Sequence, residues 1–337
     1  MLDSRQIVVV RALYLGDLLC AVPALRSLRA GHPHAHITLI GLAWARTLVD
    51  RFPAYLDAFE EFPGYPGIPE VPIDQARIAE FLTRMQARRI DLAIQLHGSG
   101  THINAFVALL GARRNAGFYP AGDAVPPEGS FVPWPTSGSE IERLLAVPRA
   151  LGCPDMGATL ELPLTATARA RASELVPRHP YVCIHPGARL SSRRWLPRRF
   201  ASVADTFAAR GYAIVLTGSG GEIALTNAVR RSMTNHAVDL AGLTTLDVLA
   251  AVIERASILV CNDTGVSHVA AALGTPSVVI ASGSDVPRWA PLERDRHEVL
   301  WSPVACRPCS YEVCPTAHEC AAGVSVDDVV HAAERLA

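Results

Sequence analysis

Four short segments of this sequence carry side chains suited to chemistry on a phosphorylated substrate, and each follows a predicted strand. The first is Leu15-Gly16-Asp17, directly after the apolar run Gln6–Leu13. Its aspartate is expected at the start of a helix, where such residues cap backbone N–H groups. The alternative role is a general base that takes a proton from a hydroxyl. Capping and the helix dipole both weaken a base, so position alone favours the cap.

The second segment is a glycine-containing loop with three arginines, between His185 and Pro197. It includes Gly187, Ala188 and Arg193, and it leads into a predicted helix. Backbone N–H groups at a helix N-terminus attract anions, and guanidinium groups chelate their oxygens. A solvated basic surface loop has the same composition, so these residues leave both interpretations open.

The third segment, Thr217–Glu222, is a glycine-rich turn between a strand and a helix. It lacks the G-x-G-x-x-G spacing of dinucleotide-binding turns and the lysine of a P-loop. Its backbone is suited to a close approach by a nucleotide, with Glu222 near ribose hydroxyls. Alternatively, Glu222 only stabilises the positive end of its own helix.

The fourth segment runs from Asn262 to His268 and contains the triplet Asp263-Thr264-Gly265. Aspartic proteases use this triplet, but they need two aspartates that share a proton. The single triplet and the α/β pattern argue against a protease. We expect the N–H groups of Thr264 and Gly265 to face a phosphate at a helix N-terminus. His268 is either a second donor or a half-buried structural histidine.

The elements that position these segments alternate between short β-branched runs and helical patterns. This alternation predicts parallel sheets covered by helices on both faces. The predicted strands are Gln6–Leu13, Ile37–Leu42, Ala58–Phe62, Asp91–Leu96, Asn115–Phe118, Tyr181–His185, Tyr212–Thr217, Ala237–Leu240, Ile258–Cys261 and Pro276–Ala281. A proline-rich stretch from Cys153 to Pro180 interrupts the series. The sequence therefore predicts two doubly wound domains, with a ligand in the cleft between the carboxyl ends of their sheets.

Composition removes several classes of function. The 337 residues are 50% hydrophobic with a net charge of −1, which excludes a disordered chain and argues against a nucleic-acid partner. All 31 basic residues are arginine. Without lysine, Schiff-base enzymes, P-loop NTPases and protein kinases are excluded. The sequence contains no apolar run of membrane-spanning length and no secretory signal pattern, so a cytoplasmic location is expected.

Four cysteines crowd into residues 306–320, at Cys306, Cys309, Cys314 and Cys320. A tetrathiolate zinc site is chemically reasonable, although the later spacings differ from a two-knuckle pattern. Reduced structural thiols and a redox disulfide are the alternatives.

Taken in order and spacing, these segments resemble glycosyltransferase family 9, the ADP-heptose:lipopolysaccharide heptosyltransferases and their relatives. The similarity rests on the following motifs: Val10–Asp17, Pro23-Ala24-Leu25, Leu28-Arg29, His185–Ala188, Arg193-Arg194-Trp195, Asp239–Gly242, Asn262–Gly265 and Ser267-His268.

The resemblance implies a GT-B fold: two Rossmann-like doubly wound domains facing across a cleft. An acceptor-binding domain would span residues 1–165. A nucleotide-sugar-binding domain would span 178–322, with the cysteine loop at 306–320, and a C-terminal helix would span 325–337. The implied reaction is an inverting transfer, needing no metal or other cofactor, of a sugar onto a hydroxyl of a lipopolysaccharide-core or related glycan. The implied sugar donor is ADP-heptose. At most a peripheral contact with the inner membrane would follow.

The resemblance also assigns roles to individual residues. It makes Asp17 the catalytic base, against the preference that position alone gives. It assigns donor binding to Gly187, Ala188, Arg193, Glu222, Asp263, Thr264, Gly265 and His268. Arg193 stands where the heptosyltransferases commonly carry a lysine, which keeps the charge but changes its geometry. Two alternatives stay open: a nucleotide-sugar epimerase of the same architecture, and a non-catalytic nucleotide- or metal-binding module.

Overall fold

The computed structural model describes residues 4–337, which form two compact units that divide between Thr159 and Leu160. The first three residues of the predicted N-terminal domain lie outside the described residues. Each unit has its own parallel sheet with helices packed against it. In residues 4–337 no helix combines the length and apolar character needed to cross a membrane.

The sheet of the first unit is built around a β-branched strand that is buried along most of its length. Within the described residues it has six parallel strands in the spatial order β3-β2-β1-β4-β5-β6. Continuous apolar strands of this kind need helices on both faces of the sheet. The strands are β1 (Gln6–Val10), β2 (His36–Gly41), β3 (Ala58–Glu61), β4 (Leu92–Gln95), β5 (Arg114–Tyr119) and β6 (Ser130–Pro133).

The helices of the first unit are α1 (Leu15–Gly31), α2 (Arg46–Val49), α3 (Gln75–Gln86), α4 (Ile103–Leu109) and α5 (Glu140–Ala150). Helix α1 is buried along most of its length and packs against α5. Asp74 and Ser139 cap the N-termini of α3 and α5 through their side-chain oxygens. Such caps satisfy backbone N–H groups that would otherwise lack partners.

The second unit repeats this arrangement. Its described residues form six parallel strands in the spatial order β12-β11-β10-β7-β8-β9. The strands are β7 (Tyr181–His185), β8 (Ala213–Leu216), β9 (Val238–Asp239), β10 (Ile258–Asn262), β11 (Ser277–Ile280) and β12 (His297–Leu300). The helices are α6 (Ala166–Leu175), α7 (Pro197–Ala209), α8 (Ile223–Ser232), α9 (Leu246–Glu254), α10 (Gly265–Leu273), α11 (Val286–Trp289), α12 (Glu319–Ala322) and α13 (Val326–Leu336).

Both ends of the second unit are held by packing within that unit. Helix α6 packs on α9, where the Arg169 guanidinium forms two hydrogen bonds of 2.8 Å with the Glu254 carboxylate. The C-terminal helix α13 is capped by Ser325 and packs against α7 and the sheet. The unit thus includes residues 160–177 and the C-terminal helix as well as the central sheet.

In each sheet the strand order reverses between the two central strands, β1 and β4 in the first unit and β7 and β10 in the second. The connections after these strands lead away in opposite directions and leave a crevice at the carboxyl edge. Ligands of open α/β sheets bind in such crevices. We therefore expect ligand-binding residues in the segments after β1, β4, β7 and β10.

The sequence analysis missed one edge strand in each unit. Strand β6 lies among residues 119–137, which are rich in proline and glycine, and β12 lies beyond the last predicted strand. Strand β9, predicted over Ala237–Leu240, is shortened to Val238–Asp239. The other predicted strands are present with ends that differ by a few residues.

Candidate functional site

Asp17 lies in the first turn of α1, at the carboxyl edge of the first sheet. The N-cap position is Tyr14, and within the described residues no side-chain oxygen caps this helix. Asp17 is therefore not the N-cap residue that its place after a strand favoured. Its side chain keeps 24% of its surface exposed. The carboxylate is thus accessible to a substrate.

The turn that carries Asp17 is held by the buried guanidinium of Arg11. Its Nε donates to the Asp17 carbonyl at 2.6 Å, and one Nη donates to the Leu96 carbonyl. The other Nη lies 3.2 Å from Glu140 Oε1 and 3.9 Å from Asp17 Oδ1. A buried charge needs a partner of opposite charge, and the buried Glu140 at the start of α5 supplies it. Arg11 thereby joins β1, β4, α1 and α5 around Asp17.

His97 lies beside the same turn, two residues after β4. The Ala12 N–H donates to its ring Nδ1 at 3.2 Å, and its own backbone N–H donates to Gln95 Oε1 at 2.8 Å. Burial and, secondly, the nearby Arg11 guanidinium lower the pKa of His97 to about 4. The imidazole is therefore neutral at physiological pH.

In the second unit, the buried Asn262 side chain positions the loop that follows β7. Its Nδ2 donates to the Pro186 carbonyl at 2.8 Å, and its Oδ1 accepts from the Trp195 N–H at 2.8 Å. Asn262 ends β10, the strand next to β7. One amide at the centre of the sheet thus fixes both ends of the predicted arginine loop, including Gly187 and the buried Ala188.

Arg193 lies in a short 3-10 turn, Ser191–Arg193, that packs against the cysteine loop. One Nη of Arg193 donates to the Cys309 carbonyl at 3.1 Å. The Ser191 hydroxyl donates to the Glu312 carbonyl at 2.9 Å, and the Ser192 hydroxyl donates to the Tyr311 carbonyl at 2.5 Å. The cysteine loop is therefore what supports the turn that carries Arg193.

Glu222 closes a capping box at the turn after β8. Its Oε2 accepts from the N–H and the hydroxyl of Ser219, both at 2.8 Å. Its other oxygen faces Gly187, because a Cβ built there would lie 2.1 Å away. The same Cβ would lie 2.8 Å from His185 Nε2. Glu222 therefore caps its helix, as one interpretation held, and also packs against the loop after β7.

The Asp263-Thr264-Gly265 triplet leads from β10 into α10. Thr264 occupies the N-cap position in an extended conformation, and among the described residues its hydroxyl makes no capping bond. The N-terminus of α10 thus presents backbone N–H groups at the carboxyl edge of the sheet, as an anion site requires. Asp263 donates its N–H to the Ile280 carbonyl at 3.0 Å. His268 is buried, with its ring 6.1 Å from that of Trp289.

Comparison with known proteins identifies the family. Residues 78–319 match the family model described as glycosyltransferase family 9 (heptosyltransferase). The chain belongs to glycosyltransferase family 9. It is 27% identical over 298 residues to lipopolysaccharide heptosyltransferase 3 of Escherichia coli, covering 82% of this chain and 83% of that protein. The resemblance inferred from the motifs is therefore confirmed, and the protein is a glycosyltransferase.

Solved structures confirm the fold of this family 9 member. A family 9 glycosyltransferase from Veillonella parvula superposes with a TM-score of 0.83 at 23% identity, covering 100% of this chain and 98% of that one. The E. coli ADP-heptose lps heptosyltransferase II gives a TM-score of 0.77 at 20% identity, covering 98% of each chain. Two Rossmann-like units with parallel sheets are the GT-B fold, as predicted.

The four cysteines predicted as zinc ligands are not assembled in this family 9 structure. Across residues 4–337, no three His, Cys, Asp or Glu side chains are grouped as metal ligands. All four thiols are free: Cys306 is exposed, Cys309 and Cys320 are buried, and Cys314 lies between these extremes. Hydrogen bonds to the turn carrying Arg193 hold the loop in place. Structural zinc stays a prediction that metal analysis of the purified protein will test.

Three residues around the turn that carries Asp17 were not assigned a role from the sequence: Arg11, Glu140 and His97. Arg11 lies within a quoted motif, but its partner Glu140 is 129 residues away. His97 follows an apolar strand and precedes a glycine-containing turn, and that signal was available in the sequence. Through these residues, the strands and helices of the first unit hold the turn that carries Asp17.

Proposed function

We propose that this family 9 enzyme transfers a heptose from ADP-heptose to a hydroxyl of a lipopolysaccharide-core or related glycan. A relative matched over 82% of this chain is a lipopolysaccharide heptosyltransferase, and the solved E. coli heptosyltransferase II is described with ADP-heptose. The observation that carries the proposal is the partly exposed Asp17 carboxylate, which Arg11 holds at the reversal point of the first sheet.

The reaction is a direct displacement at the anomeric carbon. Asp17 takes the proton from the acceptor hydroxyl while that oxygen forms the new bond to the carbon. The bond between the carbon and the diphosphate oxygen breaks at the same time, and its electron pair leaves with the ADP. Attack from the face opposite the leaving group inverts the anomeric configuration.

Charge that develops on the leaving diphosphate needs preorganised donors. The backbone N–H groups of Gly265 and Val266, at the N-terminus of α10, supply one set. Arg193 supplies a second set, because a guanidinium has more donors than the one bonded to Cys309. These groups supply the stabilisation in the proposed mechanism, which therefore requires no metal ion. Glu222 and the loop with Gly187 and Ala188 are assigned to the nucleoside side.

The first experiment is a screen of nucleotide sugars for thermal stabilisation, followed by transfer assays with the donor that it selects. A ligand that binds only the folded protein raises its melting temperature. ADP-heptose is expected to stabilise more than UDP- or GDP-sugars. Conversion of the donor without any acceptor would instead indicate an epimerase. Stabilisation without turnover on any acceptor would indicate a binding module.

Two variants then test the assigned roles. Asp17→Asn is expected to abolish transfer while donor affinity stays unchanged, and the exposed Asp50→Asn is the matched control. Arg193→Ala is expected to weaken donor binding by about tenfold or more, the scale of a lost charge-assisted hydrogen bond. The exposed Arg198→Ala in the following helix is its control. Retained turnover in Asp17→Asn would remove that residue from the base role.

A further inference from the structure

His97 is placed where the first sheet is best able to bind a ligand. It follows β4, whose neighbour β1 leads into the turn carrying Asp17, and the strand order reverses between these two strands. The residue is half-buried, so part of its ring is accessible. Its position therefore allows contact with the same substrate that Asp17 meets.

The protonation state of this ring is fixed by the backbone. The Ala12 N–H points at Nδ1 from 3.2 Å, and a nitrogen that accepts a hydrogen bond carries no proton. The neutral imidazole then holds its proton on Nε2. The groups that face this region are the Arg11 guanidinium, which disfavours a charged ring, and the carboxylates of Asp17 and Glu140 paired with it. His97 is thus a neutral hydrogen-bond donor through Nε2.

The backbone of His97 is also held in place on the side of the sheet. The His97 N–H donates to Gln95 Oε1, and the buried Gln95 Nε2 donates to the Phe118 carbonyl at 3.0 Å. The next residue, Gly98, has a φ of +66°, and a Cβ added there would meet none of the described atoms within 4 Å. The backbone that carries the imidazole is therefore fixed on its sheet side, and the chain beyond it borders open space.

We propose that His97 binds the acceptor sugar, its Nε2–H donating to a hydroxyl oxygen next to the hydroxyl that Asp17 deprotonates. The proposal rests on the proposed function and specifies its acceptor further: a sugar with two neighbouring hydroxyls. Asp17 accepts a proton from one of them, and the imidazole N–H donates a hydrogen bond to the other. A neutral donor suits this task because it binds an uncharged oxygen. A positively charged donor would also stabilise the Asp17 carboxylate and so weaken it as a base.

The test is steady-state kinetics with ADP-heptose as donor and deacylated lipopolysaccharide inner-core oligosaccharide as acceptor. His97→Phe removes both ring nitrogens and is expected to raise the KM for acceptor about tenfold, the scale of one hydrogen bond. His97→Gln keeps an acceptor and a donor and is expected to restore the KM to within about threefold. The affinity for ADP should not change in either variant. His102→Phe, on the exposed part of the same loop, is the matched control.

Two further measurements separate binding from folding. An acceptor that lacks the neighbouring hydroxyl should bind the wild type about tenfold more weakly, and His97→Phe should add no further loss. The wild-type KM for acceptor should show no histidine titration between pH 5 and 8. The proposal would be overturned if the KM for acceptor were unchanged in His97→Phe. It would also be overturned if the losses from the variant and from the missing hydroxyl added in full, or if ADP affinity fell as much as acceptor affinity. Failure of the proposed function would appear separately, as conversion of ADP-heptose without any acceptor or as no turnover with any acceptor.

Discussion

Replacing Gly187 by alanine tests how closely the loop after β7 packs on Glu222. The added Cβ would lie 2.1 Å from Glu222 Oε1 and 2.8 Å from His185 Nε2, whereas ordinary contact begins at 3.4 Å. The carboxylate oxygen must therefore move by about 1.3 Å, or the loop must shift. A carboxylate at the end of a flexible side chain moves more easily than the buried His185 ring does.

The expected loss follows from what that movement breaks. Glu222 accepts two hydrogen bonds from Ser219 in the capping box, and losing such a cap costs about 1 kcal/mol. Crowding against His185 adds about 1–3 kcal/mol, the usual range for overpacking. A lower entropy of the unfolded chain offsets about 0.4–1 kcal/mol. We therefore expect Gly187→Ala to lower the free energy of unfolding of the second unit by about 1–3.5 kcal/mol.

Urea unfolding followed by circular dichroism measures this loss, and calorimetry with ADP measures donor affinity, which should fall as well. Gly220→Ala is the matched control, because its Cβ would meet none of the described atoms within 4 Å. It should leave stability unchanged or slightly raised. The double variant Gly187→Ala/Glu222→Ala should lose less than the sum of the single losses, by about 1 kcal/mol. A single loss below about 0.5 kcal/mol, or strict additivity, would refute the packing argument.

Three further predictions concern buried charge, pH and thiols. Arg11→Met leaves Glu140 buried without its positive partner and should lower the free energy of unfolding by about 3–5 kcal/mol, whereas adding Glu140→Gln should recover part of this in urea titrations. Burial lowers the pKa of His297 from its ordinary 6.5 to about 4, so the folded state resists its protonation. The contribution of His297 to stability should fall by up to about 3 kcal/mol from pH 6.5 to pH 4, and a His297→Gln variant that keeps the full pH slope would contradict this. A hydrogen bond to a threonine lowers the pKa of the Cys314 thiol, and burial raises that of Cys183 to about 12. Iodoacetamide should therefore label Cys314 first, and mass spectrometry showing early labelling of Cys183 would be inconsistent with the fold.

The central strands could be predicted from the sequence because their signal is local. Runs such as Gln6–Val10 and Tyr181–His185 are apolar at nearly every position, as strands buried on both faces must be. The edge strands Ser130–Pro133 and His297–Leu300 pair on one side only and are partly exposed. Their composition is therefore mixed, and only pairing with a neighbour identifies them as strands.

The candidate site also combines residues that local sequence patterns predict with contacts that they do not. Asp17, Glu222 and Gly265 could be placed from the sequence because each lies where a strand gives way to a helix, and both signals are short-range. The contact between Arg11 and Glu140 spans 129 residues, and the contact between Asn262 and Pro186 spans 76. No local sequence pattern predicts a contact between residues so far apart in the chain. The sequence therefore indicated the side chains suited to the reaction but not the groups that hold them.

The cysteine loop shows most clearly the difference between the side chains that the sequence indicates and the contacts that the fold makes. Cysteine spacing drew attention to the thiols, but the contacts that reach the turn carrying Arg193 come from backbone carbonyls, including that of Cys309. Because one Nη of Arg193 is committed to this carbonyl, the remaining donors of a planar guanidinium point in a fixed direction. A lysine has a single ammonium on a flexible stem and could not bind the loop and a phosphate with the same fixed geometry. The arginine at this position and the loop packed beside it therefore depend on each other, whether or not the thiols bind metal.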